Sequence, residues 1–432
     1  MPRPLHPHAD ARPLALTSVA ALVVCLLLSA SGHARQADLP TPRNIAPGVL
    51  LYHVEAQTQV EPLGPLSIWM LRLDPAKVDL QEVLANDEIM GVETVGDIAA
   101  RHKPIAAINA GFFLPNGDPA GVMTIDGRLV SDTRRPRGAV GIARDKAGVK
   151  VVFARLKATA SVTVERNGKK TTIPIDGIDT TRLRGQLMLF TPSYHADTDT
   201  AKGGLEWVID QKRGRVVSGP HREGKTRIPP QGYVLSYGGE AAPEKLRSLT
   251  RGTRVRLEIS YAPLEGEQKS WQLAQDVVGG AGLLIRDGRD VEDWSVEQFN
   301  QGFAENRHPR TMIGTTPDGT IWLVTIDGRQ PELSVGMSLI ELRSFAHRLG
   351  LVNALNLDGG GSTSLALADP LSGDASLANT SSDNPAGRAV ATSLAVFALR
   401  AAPAPDMPAT MLTAPAFARG PETRRLRPRA DR

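Results

Sequence analysis

Four short segments of the sequence carry side chains that could bind an anion and transfer a proton. They are centred on Asn109, His308, Asp327 and Asp358, and each adjoins a short apolar run of the kind that forms a buried strand. Loops at the ends of such strands carry functional residues more often than hairpins do. We therefore expect the four segments to meet at one site.

The run Asp358-Gly359-Gly360-Gly361-Ser362-Thr363 follows the apolar stretch 354–357 and is the most informative in the chain. Three successive glycines lose much entropy on folding and offer no side chain for packing. Their unobstructed N–H groups could form a concave anion site beside Asp358; the alternative is a plain surface loop. The Gly-Lys-Ser/Thr ending of a nucleotide P-loop is missing. A serine nucleophile elbow is disfavoured, because Ser364 stands where a glycine is required.

The segment Arg307-His308-Pro309-Arg310-Thr311 places two guanidinium groups on either side of an imidazole. The planar fork of arginine matches phosphate oxygens, and histidine can carry a proton near neutral pH. A solvated basic loop is the alternative. The apolar continuation through 312–314 leads this segment into a strand, which favours an anion clamp.

Asp-Gly-Arg occurs three times, and we interpret only the last copy as functional. The copies at 126–128 and 287–289 have strand-like neighbours, so Asp-Gly is expected to form a tight turn there. Asp327-Gly328-Arg329 instead leaves a buried strand and enters a loop before a helix. We therefore predict a role in the site for Asp327 and Arg329.

The segregation of helical and strand-rich stretches predicts an α+β fold with one large mixed β-sheet and a few packed helices. Capping patterns predict helices that begin after Thr94 and after Ser338, and the second should end at Gly350. Residues 150–280 show strand after strand. A division into two domains near residue 150 stays open.

The two ends of the chain are expected to lie outside the folded domain. Residues 1–34 have the basic start, apolar run and small-residue end of a cleaved signal peptide, which predicts a periplasmic or secreted protein without a membrane span in its mature form. We assign 35–55 to a linker and first strand, 56–400 to the domain and 401–432 to a disordered Pro/Ala/Arg-rich tail.

The charge of the chain does not indicate a nucleic-acid partner. The net charge is +4, but residues 35–400 contain 42 basic and 42 acidic side chains, and the excess lies in the tail. Cys25, the single cysteine, lies in the signal, which excludes disulfides and thiol chemistry in the mature chain. The histidines are scattered, so we expect neither a metal nor a cofactor; a bound divalent cation is a minor alternative without support from spacing.

In this order and spacing the sequence resembles the phosphodiester glycosidase family, which includes the lysosomal N-acetylglucosamine-1-phosphodiester α-N-acetylglucosaminidase. The resemblance spans about residues 60–400. It rests on five segments: Ala107–Phe113, Val277–Arg289, Arg307–Thr311, Thr325–Arg329 and Asn356–Thr363.

The resemblance implies hydrolysis of the bond between the anomeric carbon of a sugar and a phosphodiester oxygen. Asp358 and Asp327 are then the candidate base or nucleophile, His308 a proton shuttle, and Asn109 a group that orients water or sugar hydroxyls. Substrate binding is assigned to Arg307, Arg310, Arg329, Gly111, Gly359, Gly360, Gly361, Ser362 and Thr363.

Two other functions remain open. A non-catalytic envelope module could hold an anionic glycan through the same arginines, with Phe112, Phe113 and Trp322 as a sugar platform. A phosphodiesterase could cleave the P–O bond instead of the C–O bond. The substrate expected in each case is a sugar phosphodiester or an anionic glycan.

Overall fold

The computed structural model describes residues 39–56, 64–131, 136–166, 168–369 and 371–399. The expected signal peptide and the expected tail lie outside these residues, and the domain boundaries stay predictions. Within the described ranges, no helix has both the length and the apolar character needed to cross a bilayer.

Strand is the predominant regular structure in the described part of the chain. In order the strands are β1 (Arg43–Ala46), β2 (Val49–Ala56), β3 (Leu66–Leu73), β4 (Val78–Leu84), β5 (Glu93–Thr94), β6 (Ala106–Asn109), β7 (Met123–Ile125), β8 (Arg128–Ser131), β9 (Arg137–Asp145), β10 (Gly148–Arg166), β11 (Lys169–Ile175), β12 (Gly177–Ile178), β13 (Leu187–Phe190), β14 (Leu205–Asp210), β15 (Arg215–His221), β16 (Gly232–Tyr237), β17 (Arg254–Pro263), β18 (Asp276–Gly279), β19 (Leu283–Arg286), β20 (Arg289–Asp290), β21 (Arg310–Thr315), β22 (Ile321–Ile326), β23 (Asn353–Asn356), β24 (Leu365–Ala368), β25 (Ala375–Leu377), β26 (Ala389–Val390) and β27 (Thr392–Ala398). The α-helices are α1 (Val95–His102), α2 (Gln268–Trp271), α3 (Gln301–Glu305) and α4 (Leu339–Arg348), with 3₁₀ turns at Ala85–Asp87, Glu244–Leu246, Ser295–Glu297 and Gly360–Ser362.

The strands form several sheets. An eight-stranded sheet has the order β1-β2-β3-β22-β21-β23-β19-β20, a twelve-stranded sheet runs β12-β13-β16-β14-β15-β17-β10-β9-β18-β7-β8 with β11 beside β10, and a five-stranded sheet runs β25-β24-β6-β27-β4; β26 and β5 form a separate pair. A strand-rich fold with few helices is therefore confirmed, but the expectation of one large mixed sheet was wrong. The 27 strands of the described residues are far too many for one open sheet, because open twisted sheets much above about ten strands curl or split into packed layers.

The eight-stranded sheet lies at the centre of the core, since β21 and β22 are buried along their whole length. Alternate side chains point to opposite faces of a strand. On β21, Ile313 belongs to the same core cluster as Ile108 of the five-stranded sheet, whereas Met312 belongs to the cluster that includes Phe345 of α4. Both faces of these strands are thus covered by apolar side chains, which fixes their register.

The two helices predicted from capping patterns are confirmed. The hydroxyl of Thr94 accepts from the N–H of Asp97 at the start of α1. Ser338 and Glu341 form a capping box at the start of α4, and Gly350 follows this helix with φ +74°.

Helix α4 carries the chain from β22 to β23 across β21, which lies between these two strands. Both pair antiparallel with β21. The ends of β22 and β23 therefore lie beside the start of β21, at one edge of the sheet.

Candidate functional site

Three of the four predicted segments meet at this edge. Arg310 at the start of β21 lies opposite Ile326, the last residue of β22 before Asp327. The N–H of Leu357 donates to the carbonyl of Thr311 at 2.8 Å, which brings Asp358 to the same place. The sheet topology thus juxtaposes residues that are about 50 positions apart in the sequence.

Asn109 adds the fourth segment and joins it to the others. Its Nδ2 donates to the carbonyl of Asp358 at 2.7 Å, and its Oδ1 accepts from the Thr311 hydroxyl at 2.7 Å and from the Ser364 N–H at 3.1 Å. The side chain is completely buried at the end of β6. These contacts are with protein groups, so Asn109 holds the end of β6 against the start of β21 and the segment that follows β23.

Asp358 is the half-buried carboxyl group at the centre of these contacts. Its Oδ1 accepts from the N–H of Gly359 at 2.9 Å. Burial raises its pKa to about 6, although the Ser362 hydroxyl, the Gly359 N–H and the charge of Arg388 act in the opposite direction. A carboxyl group with this pKa can gain or lose a proton near neutral pH.

Arg310 is buried without an ion-pair partner among the described residues. Its Nε donates to the carbonyl of Met337 at 2.8 Å, and its Nη2 donates to the carbonyls of Phe303 and Asn306 at 2.7 and 3.0 Å. Burial and nearby Arg329 lower its pKa to about 10. Its Nη1 donates to no described residue, and this nitrogen is the one left for an anion.

His308 and Arg329 lie side by side next to Arg310. Nδ1 of the imidazole is 3.4 Å from Nη2 of Arg329. Burial, then the charges of Arg310 and Arg329, lower the pKa of His308. The ring is therefore neutral at neutral pH, and because Nδ1 faces a donor, we assign its proton to Nε2.

Arg329 itself has a backbone conformation that is unusual for a large side chain. Its φ is +59°, in the left-handed region. The guanidinium lies against the glycine run, since a Cβ at Gly360 would be 3.0 Å from its Nη2. Such local strain is characteristic of functional sites.

Arg307 and Gly111 have other contacts. Nε of Arg307 donates to the carboxylate of Glu341 at 3.0 Å, at the start of α4. The N–H of Gly111 donates to the Thr392 hydroxyl at 3.3 Å, and a Cβ there would lie 3.2 Å from the carbonyl oxygen of Gly279. The structure gives Arg307 a carboxylate partner and gives Gly111 a packing role.

The glycine run allows close backbone approach. A Cβ at Gly359 would lie 2.7 Å from the carbonyl oxygen of Pro309, and one at Gly361 would lie 2.1 Å from the carboxyl group of Asp383. Several of the amides that the sequence suggested for an anion have acceptors inside the fold. These donors are the N–H groups of Gly359, Gly360, Ser362 and Thr363.

Asp327 follows β22, and both of its carboxylate oxygens accept hydrogen bonds from protein groups. Oδ2 accepts from the Ser67 hydroxyl at 2.8 Å and the Thr380 N–H at 3.3 Å, and Oδ1 accepts from Asn379 at 2.8 Å. The residue is 1% exposed, and burial raises its pKa. It therefore anchors the start of the loop 379–388.

The loop 379–388 is the part of the site that sequence reasoning missed. Its Ser381 hydroxyl donates to the carbonyl of Gly361 at 3.3 Å. The carboxylate of Asp383 lies against the backbone of Gly361 and accepts a hydrogen bond from Nε of Arg388 at 2.8 Å. The mixture of Ser, Asn, Pro and Gly in this loop indicates only a turn, and no local pattern shows which segment it covers.

The aromatic residues considered for a sugar platform have different positions. Trp322 is 5% exposed and packs against Tyr52 in the core, so it was wrongly included. Phe113 packs beside a core cluster. Half-buried Phe112 contacts Phe303, whose ring also lies 5.0 Å from the guanidinium carbon of Arg310.

The described residues include no group of three or more His, Cys, Asp or Glu side chains suited to a metal ion. The donors that this part of the chain gathers are the guanidinium groups of Arg310 and Arg329 and the imidazole of His308, beside the half-buried carboxyl group of Asp358. Such a set suits a charged oxyanion.

Comparison with known proteins agrees with this picture. Residues 204–397 match the family described as phosphodiester glycosidase. Over that span the chain is similar to the phosphodiester glycosidase family. The span includes the segments of His308, Asp327 and Asp358, while that of Asn109 lies outside it.

Three proteins from other organisms are similar to this chain. An uncharacterized protein of Rickettsia conorii is 25% identical over 261 residues, which is 59% of this chain and 86% of the relative. A hypothetical protein from Synechocystis shares 25% identity with a TM-score of 0.70; the match covers 84% of this chain and 65% of that protein. A Burkholderia pseudomallei protein provisionally described as exported shares 25% identity with a TM-score of 0.64, over 77% of this chain and 74% of that one.

Proposed function

We propose that this protein is an exported hydrolase that cleaves a sugar 1-phosphodiester at the bond between the anomeric carbon and the phosphate oxygen. The observation that carries the proposal is the convergence of Asp358 with Arg310, Arg329 and His308 at one edge of the sheet. The similarity of residues 204–397 to the phosphodiester glycosidase family supports this class of reaction.

The phosphate is assigned to the cationic side of the site. Arg329 and the free Nη1 of Arg310 supply positive charge, and the Nε2–H of neutral His308 supplies a further donor. A phosphate leaving group is already a stabilised anion, so charge neutralisation is the main requirement for its departure. Fixed donors held by buried contacts need little reorganisation during the reaction.

Asp358 is assigned to the sugar side. In its ionised form it stabilises the positive charge that develops at the anomeric carbon, as a base toward water or as a nucleophile. Its pKa of about 6 keeps it mostly ionised at neutral pH while leaving it basic enough to accept a proton.

Asn109 and Asp327 are assigned to positioning. Asn109 holds the Asp358 backbone and the start of β21 together. Asp327 fixes the loop 379–388 through Asn379 and Thr380. This assignment differs from the catalytic roles that the sequence suggested, because both polar atoms of each side chain are hydrogen-bonded to other protein groups.

The export part of the proposal rests on the sequence of residues 1–34 and on the similar Burkholderia protein. N-terminal sequencing of the protein recovered from the periplasm or medium tests it. Cleavage after Ala34 is the expected result, and recovery of uncleaved chain in the cytoplasm contradicts it.

Isotope labelling tests the bond that is cleaved. N-acetylglucosamine 1-phosphate methyl diester and UDP-N-acetylglucosamine are incubated with the protein in ¹⁸O-labelled water. Label on the sugar supports the proposal, whereas label on the phosphate identifies a phosphodiesterase. Binding without turnover over a panel of sugar phosphodiesters identifies a glycan-binding module.

A further inference from the structure

A chain of polar contacts connects buried Asp327 with the surface of the eight-stranded sheet. Ser67 at the start of β3 donates its hydroxyl hydrogen to Oδ2 of Asp327 at 2.8 Å. His53 on β2 places its Nε2 3.5 Å from the same hydroxyl oxygen. Because the single hydrogen of Ser67 is given to Asp327, we assign the proton of the neutral His53 ring to Nε2, with the Ser67 oxygen as its acceptor.

His53 is held in this position by its neighbours. Its ring stacks on Trp69, its cross-strand partner, with centroids 3.7 Å apart and an interplanar angle of 12°. Its side chain is 29% exposed, so it reaches solvent while Asp327 does not. The charged groups that face it are Glu55 on its own strand, 3.7 Å away, and Asp327 at the end of β22.

We propose that His53, Ser67 and Asp327 form a proton path, through which the protonation of His53 controls the anchor of the loop 379–388. In the transfer step the N–H bond at Nε2 of the imidazolium breaks and an O–H bond forms at Ser67. The original Ser67 proton moves to Oδ2 of Asp327. Imidazolium and carboxylate become imidazole and carboxylic acid, so charge and atoms balance.

The path matters because Asp327 anchors the loop as an acceptor. Oδ2 receives both the Ser67 hydroxyl and the Thr380 N–H. A proton on Oδ2 converts that oxygen into a donor and weakens its bond with Thr380. The loop carries Arg388, whose charge acts on Asp358. His53 is therefore a positioning residue for the site, and this last step rests on the proposed function.

Nuclear magnetic resonance of the full chain tests the path without requiring turnover. The His53 imidazole and the Asp327 carboxyl carbon are titrated in the wild type, His53→Gln, Ser67→Ala and Asp327→Asn. His221 is the matched control, because its Nε2 contacts the Ser218 hydroxyl at 2.9 Å at an exposed position.

The expected result is a shared inflection of His53 and Asp327 in the wild type. Asp327→Asn shifts the His53 inflection to lower pH, since it removes a negative charge, whereas the spectra of the control His221 are the same in both proteins. Ser67→Ala separates the two inflections. An Asp327 signal that titrates identically in the wild type and His53→Gln overturns the path.

The pH profile of kcat/KM tests the positioning role. His53→Gln moves the acid limb, and the control His221→Gln leaves it unchanged. If the acid limb of this profile is unchanged in His53→Gln as well as in His221→Gln, the positioning role is wrong. If the wild type shows no turnover on any sugar phosphodiester, the proposed function fails, while the coupled titration still decides the proton path.

Discussion

At the scale of single residues, the site separates groups that are available to a ligand from groups that support them. Asp358, His308, Arg329 and the Nη1 of Arg310 keep hydrogen-bonding capacity that the described residues do not fill. Both polar atoms of the Asn109 side chain are hydrogen-bonded to protein groups. Residue type alone predicted both sets together, because a free asparagine and a fully bonded one look the same in a sequence.

The ionised form of Asp358 predicts the pH dependence of the reaction. With a pKa of about 6, kcat/KM rises with pH and levels off above neutral, and its value at pH 5 is about tenfold below the plateau. Asp358→Asn removes this limb and lowers the plateau by roughly 10²–10⁴-fold. Steady-state kinetics between pH 4.5 and 8.5 measure both effects.

The control for this variant is Asp287→Asn, in the second Asp-Gly-Arg copy. Asp287 is exposed with φ +49° in a turn, and asparagine tolerates that conformation. We expect its rate to match the wild type. A wild-type rate that falls as pH rises through 6 would show that Asp358 acts as a proton donor, against the role assigned to it.

Arg329 and Arg307 offer a matched pair for the anion site, because only Arg329 lies beside His308 and the glycine run. Arg329→Gln should weaken binding of N-acetylglucosamine 1-phosphate by about ten- to a hundredfold, as expected for loss of a charge-assisted hydrogen bond. Arg307→Gln should leave the affinity unchanged. Titration calorimetry decides, and equal losses in both variants contradict the assignment.

At the scale of elements, the site depends on the order of three neighbouring strands. Helix α4 moves the chain past β21, so that the start of β21 lies between the ends of β22 and β23. Asn109 then ties the five-stranded sheet to this edge through Thr311. Short-range packing thus fixes a site whose members are far apart in sequence.

Replacement of Asn109 should measure that link. Asn109→Ala leaves the Thr311 hydroxyl and the Ser364 N–H without their acceptor in a buried place. Each unsatisfied buried group costs about 1–3 kcal/mol, so we expect a loss of at least 2 kcal/mol in the free energy of unfolding. Urea unfolding measures this loss.

The variant Ser338→Ala gives a reference value for the loss of stability in Asn109→Ala. Ser338→Ala removes the cap of α4, for which about 1 kcal/mol is expected. If Asn109→Ala destabilises the protein by less than Ser338→Ala, Asn109 does not join the strand ends in the way its contacts indicate.

Sequence patterns predicted the individual helices and strands better than the contacts between them. The caps at Thr94 and Ser338 are local signals, and both helices begin where these residues indicated. The apolar runs before Asp327 and Asp358 are strands, as expected. The division into several sheets and the cover provided by the loop 379–388 depend on contacts between distant segments, which no local spacing records.

At the scale of the whole molecule, a polar network lies where the five-stranded and twelve-stranded sheets meet. The N–H of Glu82 on β4 donates to Oδ2 of Asp276 on β18 at 3.0 Å. Arg144 on β9 donates to the carbonyl of Leu80 at 3.2 Å and forms an ion pair with Asp276. The two sheets are therefore joined by charged groups as well as by apolar packing.

Glu82 makes this junction sensitive to pH. Burial and then the charge of Asp276 raise its pKa well above the usual 4.5, so the folded protein keeps a proton that the unfolded chain releases. This contribution to stability is fully present below pH 4.5 and declines as pH rises toward the folded-state pKa.

Glu82→Gln, which mimics the protonated form, should match the wild type at pH 4 and be more stable at pH 8. Urea unfolding at both values tests this, with exposed Glu258→Gln as control; equal pH slopes for wild type and Glu82→Gln would show that Glu82 is ionised in the folded protein.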